Sequence, residues 1–218
     1  MNADHPLTDR LISTRNAEFV WDTEGPTAVH AHVTKPIVSQ LTRAQANTVL
    51  DLGCGNGWFT AALQRCGFEM VGVDHSHSGI DIASRRHPEV SYRQHDLMQP
   101  LASDLIGRFD AVVSVEVIEH LLLPRKLIEA ALTALKPGGL LIVTAPFHGY
   151  LKNLALALGG KFDEHWHPLR DYGHVKFFSR STLIALFAEY GLADVHFETA
   201  GRLPVFARSM IVSGRVPS

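Results

Sequence analysis

Apolar runs and amphipathic stretches alternate along most of the chain, and the hydrophobic period changes as they do. Thr48–Leu52 is a short run of branched and leucine side chains, which predicts a buried strand. Trp58–Arg65 then predicts a helix, Glu69–Asp74 a second strand, and Ser78–Arg86 a helix stopped by His87-Pro88. Val90–Gln94 and Phe109–Ser114 predict a third and a fourth strand. Leu127–Leu135 is spaced as an amphipathic helix, Lys136–Gly139 predicts a turn, and Leu140–Thr144 predicts a fifth buried strand. The chain closes with a predicted helix at Ser181–Tyr190, for which Ser179 offers a cap, and two strands, Ala193–Thr199 and Val205–Val212. Strands alternating with helices imply an open, mostly parallel sheet wound on both faces.

Two regions break the alternation. Residues 1–47 are polar, then weakly helical over Leu7–Phe19. A turn cluster follows at Trp21–Pro26, and helical spacing over Ala28–Arg43 with Pro36 as a boundary or kink. This region is expected to form an N-terminal cap, either over the ligand site or merely over one face of the sheet. Residues 146–178 form the second break. Tyr150–Leu158 reads as a short apolar helix ended by Gly159-Gly160, and the segment after it is dense in histidine and aromatics, including His165-Trp166-His167. An insertion just past a strand's carboxyl end is where an open sheet receives its substrate, so a lid and substrate wall are expected there.

Composition narrows the picture without naming a chemistry. The chain has 218 residues, 46% hydrophobic and 19% charged, with a formal net charge of −2. That suits one domain with an appendage and gives no electrostatic footprint for nucleic acid. Cys54 and Cys66 do not make a disulfide framework, Met1–Arg10 carries no secretory signal pattern, and no apolar stretch is long enough to span a bilayer. A cytoplasmic setting without a transmembrane segment is expected. Peripheral membrane contact and the oligomeric state stay open.

Chemistry concentrates first at Gly53-Cys54-Gly55-Asn56-Gly57, between the first strand and its helix. Strand, glycine loop, helix brings backbone close to a nucleotide-like ligand. The spacing is G-x-G-x-G, with no G-K-[ST] to hold a triphosphate. Acids stand instead at the carboxyl ends of successive strands: Asp51, Asp74 and Asp96. Asp74 lies roughly 20 residues past the loop, where an acid accepts bonds from ribose hydroxyls.

Val49-Leu50-Asp51-Leu52-Gly53-Cys54-Gly55-Asn56-Gly57 resembles the first motif of the class I S-adenosylmethionine-dependent methyltransferases, and Leu-Lys-Pro-Gly-Gly at 135–139 is a further mark of that family. The resemblance runs from about Thr48 to the chain's end. It implies a seven-stranded Rossmann-like sheet with an antiparallel terminal hairpin, and S-adenosylmethionine as cofactor. It implies cofactor contacts from Asp51, Gly53, Cys54, Gly55, Asn56, Gly57, Asp74, His75 and Ser114. Asp96 would meet the adenine amino group and Leu97 would pack on the ring.

Glu116, Glu119 and His120 follow the fourth strand at spacings that share one face of a helical turn. Two carboxylates and an imidazole suit a divalent cation, with His174 as a further ligand. Such a set is similar to that of the ubiquinone-pathway O-methyltransferases and to that of the small-RNA terminal 2′-hydroxyl methyltransferases. Read without metal, the resemblance implies that Glu116 contacts the cofactor side and that His120 contacts substrate or acts as general base, with His120, Glu116 and Glu119 as the candidate catalytic residues. The expected function is therefore methyl transfer to a small-molecule acceptor, at oxygen. Metal-dependent RNA 2′-O-methylation is the alternative enzyme reading. A non-catalytic cofactor-binding member of the fold is the third.

Overall fold

The structure is a computed structural model, described here for residues 19–163, 172–201 and 207–217. Seven strands form one sheet in the order β3-β2-β1-β4-β5-β7-β6. In chain order they are β1 (Thr48–Leu52), β2 (Glu69–Asp74), β3 (Ser91–Gln94), β4 (Phe109–Val115), β5 (Leu135–Pro146), β6 (Ala193–Ala200) and β7 (Ser209–Arg215). The first five pair in parallel, and β7 runs antiparallel to both β5 and β6. Among the described residues the α-helices are α1 (His30–Arg43), α2 (Trp58–Arg65), α3 (His77–Arg86), α4 (Arg125–Ala134), α5 (Tyr150–Leu158) and α6 (Arg180–Glu189). The fold is the doubly wound α/β sheet with an antiparallel end that the alternating pattern implies.

The two sheet faces follow from the period of two in the strands. Leu50, Leu52, Val71, Val73, Val112, Leu141 and Val143 point to one side, where α4 and α6 cover them with Leu127, Ile128, Leu183 and Phe187. Val49, Met70, Ala111, Val113, Leu140 and Ile142 point to the other, under Val33, Ile37 and Leu41 of α1 and Phe59, Ala61 and Leu63 of α2. Each such fully buried aliphatic side chain contributes about 1.5–3 kcal/mol over its exposed state. On the second face His30 is stacked between the rings of Trp58 and Phe59, at centroid distances of 5.3 and 5.2 Å. Burial there lowers its pKa to about 4, so it is neutral, and its Nδ1 accepts from the Thr27 amide.

Pro36 sits inside α1, so of its two expected roles it is not the helix boundary. Two elements depart from the pattern-based expectation. Lys136–Gly139 is no separate turn but the start of β5, carried as an irregularity in which Phe109 pairs Leu135 and Ala111 pairs Leu140, with Gly138 at φ 74°. The last strand lies later than the apolar run suggests, at Ser209–Arg215, because its register is set by pairing with β5 from Pro146 to Leu140. Residues 202–206, where the apolar run places the start of that strand, lie outside the described residues, as do His165, Trp166 and His167.

The chain runs from β1 outward to β3, then returns to β4 beside β1 and continues the other way. The carboxyl ends of β1 and β4 therefore flank the crevice where an open α/β sheet binds its ligand.

Candidate active site

The glycine loop leaves β1 at this crevice. Gly53 and Cys54 donate their amides to the Val73 carbonyl, which turns the loop over the end of β2. Gly55 has φ 53°, and a Cβ there would run into the indole of Trp21, so both the backbone and the neighbour require glycine. The Gly55 amide donates to Asp74 Oδ2 at 2.8 Å, and the Ser76 amide to Asp74 Oδ1 at 2.8 Å. A carboxylate offers about four acceptor sites, so bonds from two ribose hydroxyls are compatible with these two. His75 is exposed beside Asp74, with 3.9 Å between Nδ1 and Oδ1.

The other loop residues are turned to different tasks. Asp51 shares the β1 face of Val49, so its carboxylate points under the loop into α2, where Thr60 Oγ1 donates to it at 2.7 Å. It is buried, and burial raises its pKa to about 7, opposed by the Thr60 bond and assisted by the charge of Asp74. The Cys54 thiol is likewise buried and pushed upward. Asn56 is buried; its amide donates to the Thr23 and Gly25 carbonyls at 2.9 and 3.0 Å and its Oδ1 accepts from the Trp58 amide. Gly57 has φ 75°, and its carbonyl accepts from Tyr92 Oη at 2.9 Å. Ser114 is fully buried and donates to the Leu52 carbonyl at 2.7 Å, holding β4 against β1. Asp96 is exposed and caps its own turn by accepting from the Met98 amide, while Leu97 packs against the core.

Residues 19–25 cross this loop. Ser76 Oγ donates to the Phe19 carbonyl at 2.7 Å, the Trp21 amide donates to Ser78 Oγ at 3.0 Å, and Glu24 pairs with Arg85 and Arg86. The Trp21 indole lies against Gly55 and Gly79. Pattern reading missed Trp21, Thr60, Ser76 and Tyr92. The one available signal was the aromatic within the Trp21–Pro26 turn cluster.

Beyond β4 the backbone turns sharply. Glu116 has φ 54°, and Ile118–His120 forms a single 3-10 turn instead of an α-helical one. Glu116 is thereby aimed at β5 and β7: Thr144 Oγ1 donates to its Oε1 at 3.2 Å, and the Ser209 hydroxyl of β7 lies on the same side. Burial raises its pKa to about 7, against these hydroxyls and the charge of Lys152. Glu119 faces a different group. Its carboxylate is 1% exposed, and neither oxygen has a hydrogen-bond partner among the described residues. Its Oε1 lies 4.0 Å from His120 Nε2 and 3.9 Å from His174 Nε2. Burial raises its pKa well above the usual range, with the Glu116 charge adding to it.

The 172–176 segment is latched to this turn. Val175 and Lys176 donate their amides to the Glu119 carbonyl, both at 2.9 Å. His120 Nδ1 lies 3.0 Å from the Tyr172 carbonyl and 3.3 Å from that of Gly173, so it carries the proton and directs Nε2 toward Glu119. Ligand atoms of Glu119, His120 and His174 lie within 4.8 Å of one another. Glu116 and Tyr172 both hold positive φ without being glycine, a strain of about 1–3 kcal/mol each that the surrounding bonds must offset.

A glycine loop, a carboxylate at the end of β2 and an acid-and-imidazole cluster across the crevice define a nucleoside-cofactor site of the methyltransferase type. The chain belongs to the methyltransferase-domain family, which it matches over residues 29–197. It is 33% identical over 155 residues to the ubiquinone biosynthesis O-methyltransferase of Cereibacter sphaeroides, covering 69% of this chain and 62% of the relative. The enzyme of the same name from Caulobacter vibrioides is 34% identical over 146 residues, covering 65% of this chain and 57% of the relative. The match thus spans about three-fifths of these relatives' length. Among solved structures, magnesium protoporphyrin IX methyltransferase from Synechocystis with bound SAH superposes with a TM-score of 0.65 at 18% identity, over 84% of this chain and 82% of that one. The methyltransferase domain of bacterial CtHen1 superposes with a TM-score of 0.65 at 22% identity, over 85% and 97%. The family takes S-adenosylmethionine as its methyl donor. No described helix is long and apolar enough to cross a membrane.

Proposed function

We propose that the protein transfers a methyl group from S-adenosylmethionine to an oxygen of a small molecule bearing neighbouring oxygens, and that Glu119, His120 and His174 hold a divalent cation at the acceptor side. The observation that carries the cation is the Glu119 carboxylate: buried, without a hydrogen-bond partner among the described residues, and faced by two imidazole nitrogens. A buried carboxylate without a partner is costly, and a cation would remove that cost. The donor set, one carboxylate and two imidazoles with open positions, fits a divalent metal. The carbonyls of Tyr172 and Gly173 fix the His120 ring through Nδ1, as outer partners of metal-bound histidines do. A bound cation would supply a lowered pKa at an acceptor hydroxyl.

The remaining work falls to the chain. A sulfonium methyl is already activated, so what is needed is alignment in line with the acceptor oxygen and exclusion of water. In this reading Asp74 accepts the ribose hydroxyls, Asp96 and Leu97 receive the adenine, and the loop from Gly53 to Gly57 passes under the methionine portion. Glu116 stands beside the acceptor with a carboxyl whose proton burial holds to higher pH than an ordinary glutamate, and the protonated form can donate a hydrogen bond. The named relatives, ubiquinone biosynthesis O-methyltransferases, support oxygen as the atom methylated.

The test pairs metal analysis with transfer. Untagged protein is analysed for bound metal, and labelled methyl transfer to catechol-type acceptors is followed with and without chelator. Bound metal in the wild type, its loss in Glu119→Gln, and chelator-sensitive label restored by added cation are expected. Full transfer by metal-free protein would refute the cation. No transfer to any oxygen acceptor, with label appearing in RNA, would refute the small-molecule reading.

A further inference from the structure

Ser209 is a buried hydroxyl at the edge of the sheet that carries the candidate site. It is the first residue of β7, 2% exposed, and pairs with Pro146 at the end of β5 and with Ala200 at the end of β6. Only because β7 runs antiparallel does its start arrive at the carboxyl edge, where the chain leaves β4 through Glu116. By the period of two, Ser209 shares the β7 face of Ile211 and Thr144 the β5 face of Ile142. Ile211 and Ile142 both belong to the core under α1. The two hydroxyls are thus diagonal neighbours on one face, and the Glu116 carboxyl meets that face at Thr144.

The group that reaches Ser209 comes from the other end of the chain. His32, in the first turn of α1, places Nε2 3.1 Å from Ser209 Oγ. Gly201, just past β6, makes room for the ring. Its φ is 103°, and a Cβ there would lie 3.1 Å from His32 Cδ2 and 3.2 Å from Cγ. The imidazole is half-buried, and burial together with the Arg208 charge lowers its pKa, so the ring is neutral near pH 7. The tautomer decides which atom donates, but with either one the bond fixes the rotation of the Ser209 hydroxyl.

As a mere fastening this bond would be redundant. Val33, Ile37 and Leu41 of α1 are fully buried on the sheet, and Gln40 Nε2 donates to Glu198 Oε1 of β6 at 2.6 Å. An apolar pair in place of His32 and Ser209 would hold the helix as well, because exchanging both partners of a buried hydrogen bond for apolar groups is nearly neutral. What the polar pair adds is a hydroxyl of fixed orientation on the side of Glu116.

We propose that His32 is a positioning residue for methyl transfer: it orients the Ser209 hydroxyl, which in turn holds the Glu116 carboxyl toward the acceptor. The N-terminal cap then completes the acceptor side of the site and does not merely cover the sheet. The proposal rests on the methyltransferase reading, which supplies the acceptor, while the His32–Ser209 pair is tested without one.

Histidine nitrogen resonances of isotope-labelled protein are followed at neutral pH without cofactor, with those of His32 assigned through their loss in His32→Gln. Ser209→Ala is expected to move them; no change would mean that the pair does not form, and overturns the proposal. Labelled methyl transfer to catechol-type acceptors is then compared among variants. His32→Phe, which keeps a ring against Gly201, is expected to lower kcat about ten-fold. Its acceptor KM and its affinity for S-adenosylhomocysteine should change less than about two-fold. His32→Gln, whose amide can still bond Ser209, is expected to recover most of the rate. His32→Phe combined with Ser209→Ala should lose no more than Ser209→Ala alone, since one acts through the other. Gln40→Ala cuts another tie of α1 and serves as control, with a lower thermal transition and an unchanged kcat. Full kcat in His32→Phe overturns the proposal, as do losses in His32→Phe and Gln40→Ala that scale alike with their thermal transitions. No transfer by the wild type refutes the methyltransferase reading and this role with it; transfer that survives the loss of His32 refutes the role alone.

Discussion

Replacing Asp51 by Asn tests whether the strand-end acid is a buried group held under the glycine loop. Asp51 is 1% exposed, its carboxylate meets Thr60, and its pKa rises from an ordinary 3.8 to about 7. The folded protein therefore keeps this proton to higher pH than the unfolded chain does. The contribution to stability is intact below about pH 4 and is lost progressively as pH rises to about 7. With these two values the ionisation penalty is roughly 2 kcal/mol at pH 5 and roughly 4 kcal/mol at pH 8. The amide introduced by Asp51→Asn cannot ionise, yet its carbonyl oxygen still accepts from Thr60. The stability of Asp51→Asn relative to wild type should thus rise by roughly 2–3 kcal/mol between pH 5 and pH 8. The assay is denaturant unfolding of cofactor-free protein at pH 5, 6, 7 and 8 at constant ionic strength. Taking the difference between the two proteins cancels other titrations, above all His30, whose lowered pKa makes it cost stability only as pH falls from about 6.5 toward 4. A difference that stays level within about 0.5 kcal/mol across the range would refute the buried, proton-holding Asp51.

Two further substitutions probe the loop's supports. Trp21→Ala removes the indole that covers Gly55 and Gly79, and should weaken binding of S-adenosylhomocysteine about ten-fold, measured by calorimetry, since the loop loses its preorganised cover; unchanged affinity would leave residues 19–25 no part in the cofactor site. Tyr92→Phe removes the hydroxyl that donates to the Gly57 carbonyl, and should cost about 1 kcal/mol, a fall of about 2–4 °C in the thermal transition with cofactor affinity little changed.

The sequence alone determined the sheet, the order of its strands and helices, and where its ligand loop stands. Thr48–Leu52, Trp58–Arg65, Glu69–Asp74 and Tyr150–Leu158 have the bounds that apolar period and glycine or proline breaks imply, because these are local properties. The glycine spacing and the acids at successive strand ends were legible for the same reason. What each loop side chain faces was not. The period of two that makes β1 a strand turns Asp51 under the loop to Thr60, and Asn56 is spent on the Thr23 and Gly25 carbonyls, over thirty residues away in the chain. The face shared by Glu116, Glu119 and His120 on an ideal helix is divided by a left-handed residue: Glu116 goes to Thr144, and Glu119 and His120 meet His174. The stripe on α5 was visible, but not its direction. A helical period says that one face is apolar; only the packing of Lys152 and Asn153 against the protein decides that the apolar face looks outward, because a period carries no information about which side the rest of the chain occupies.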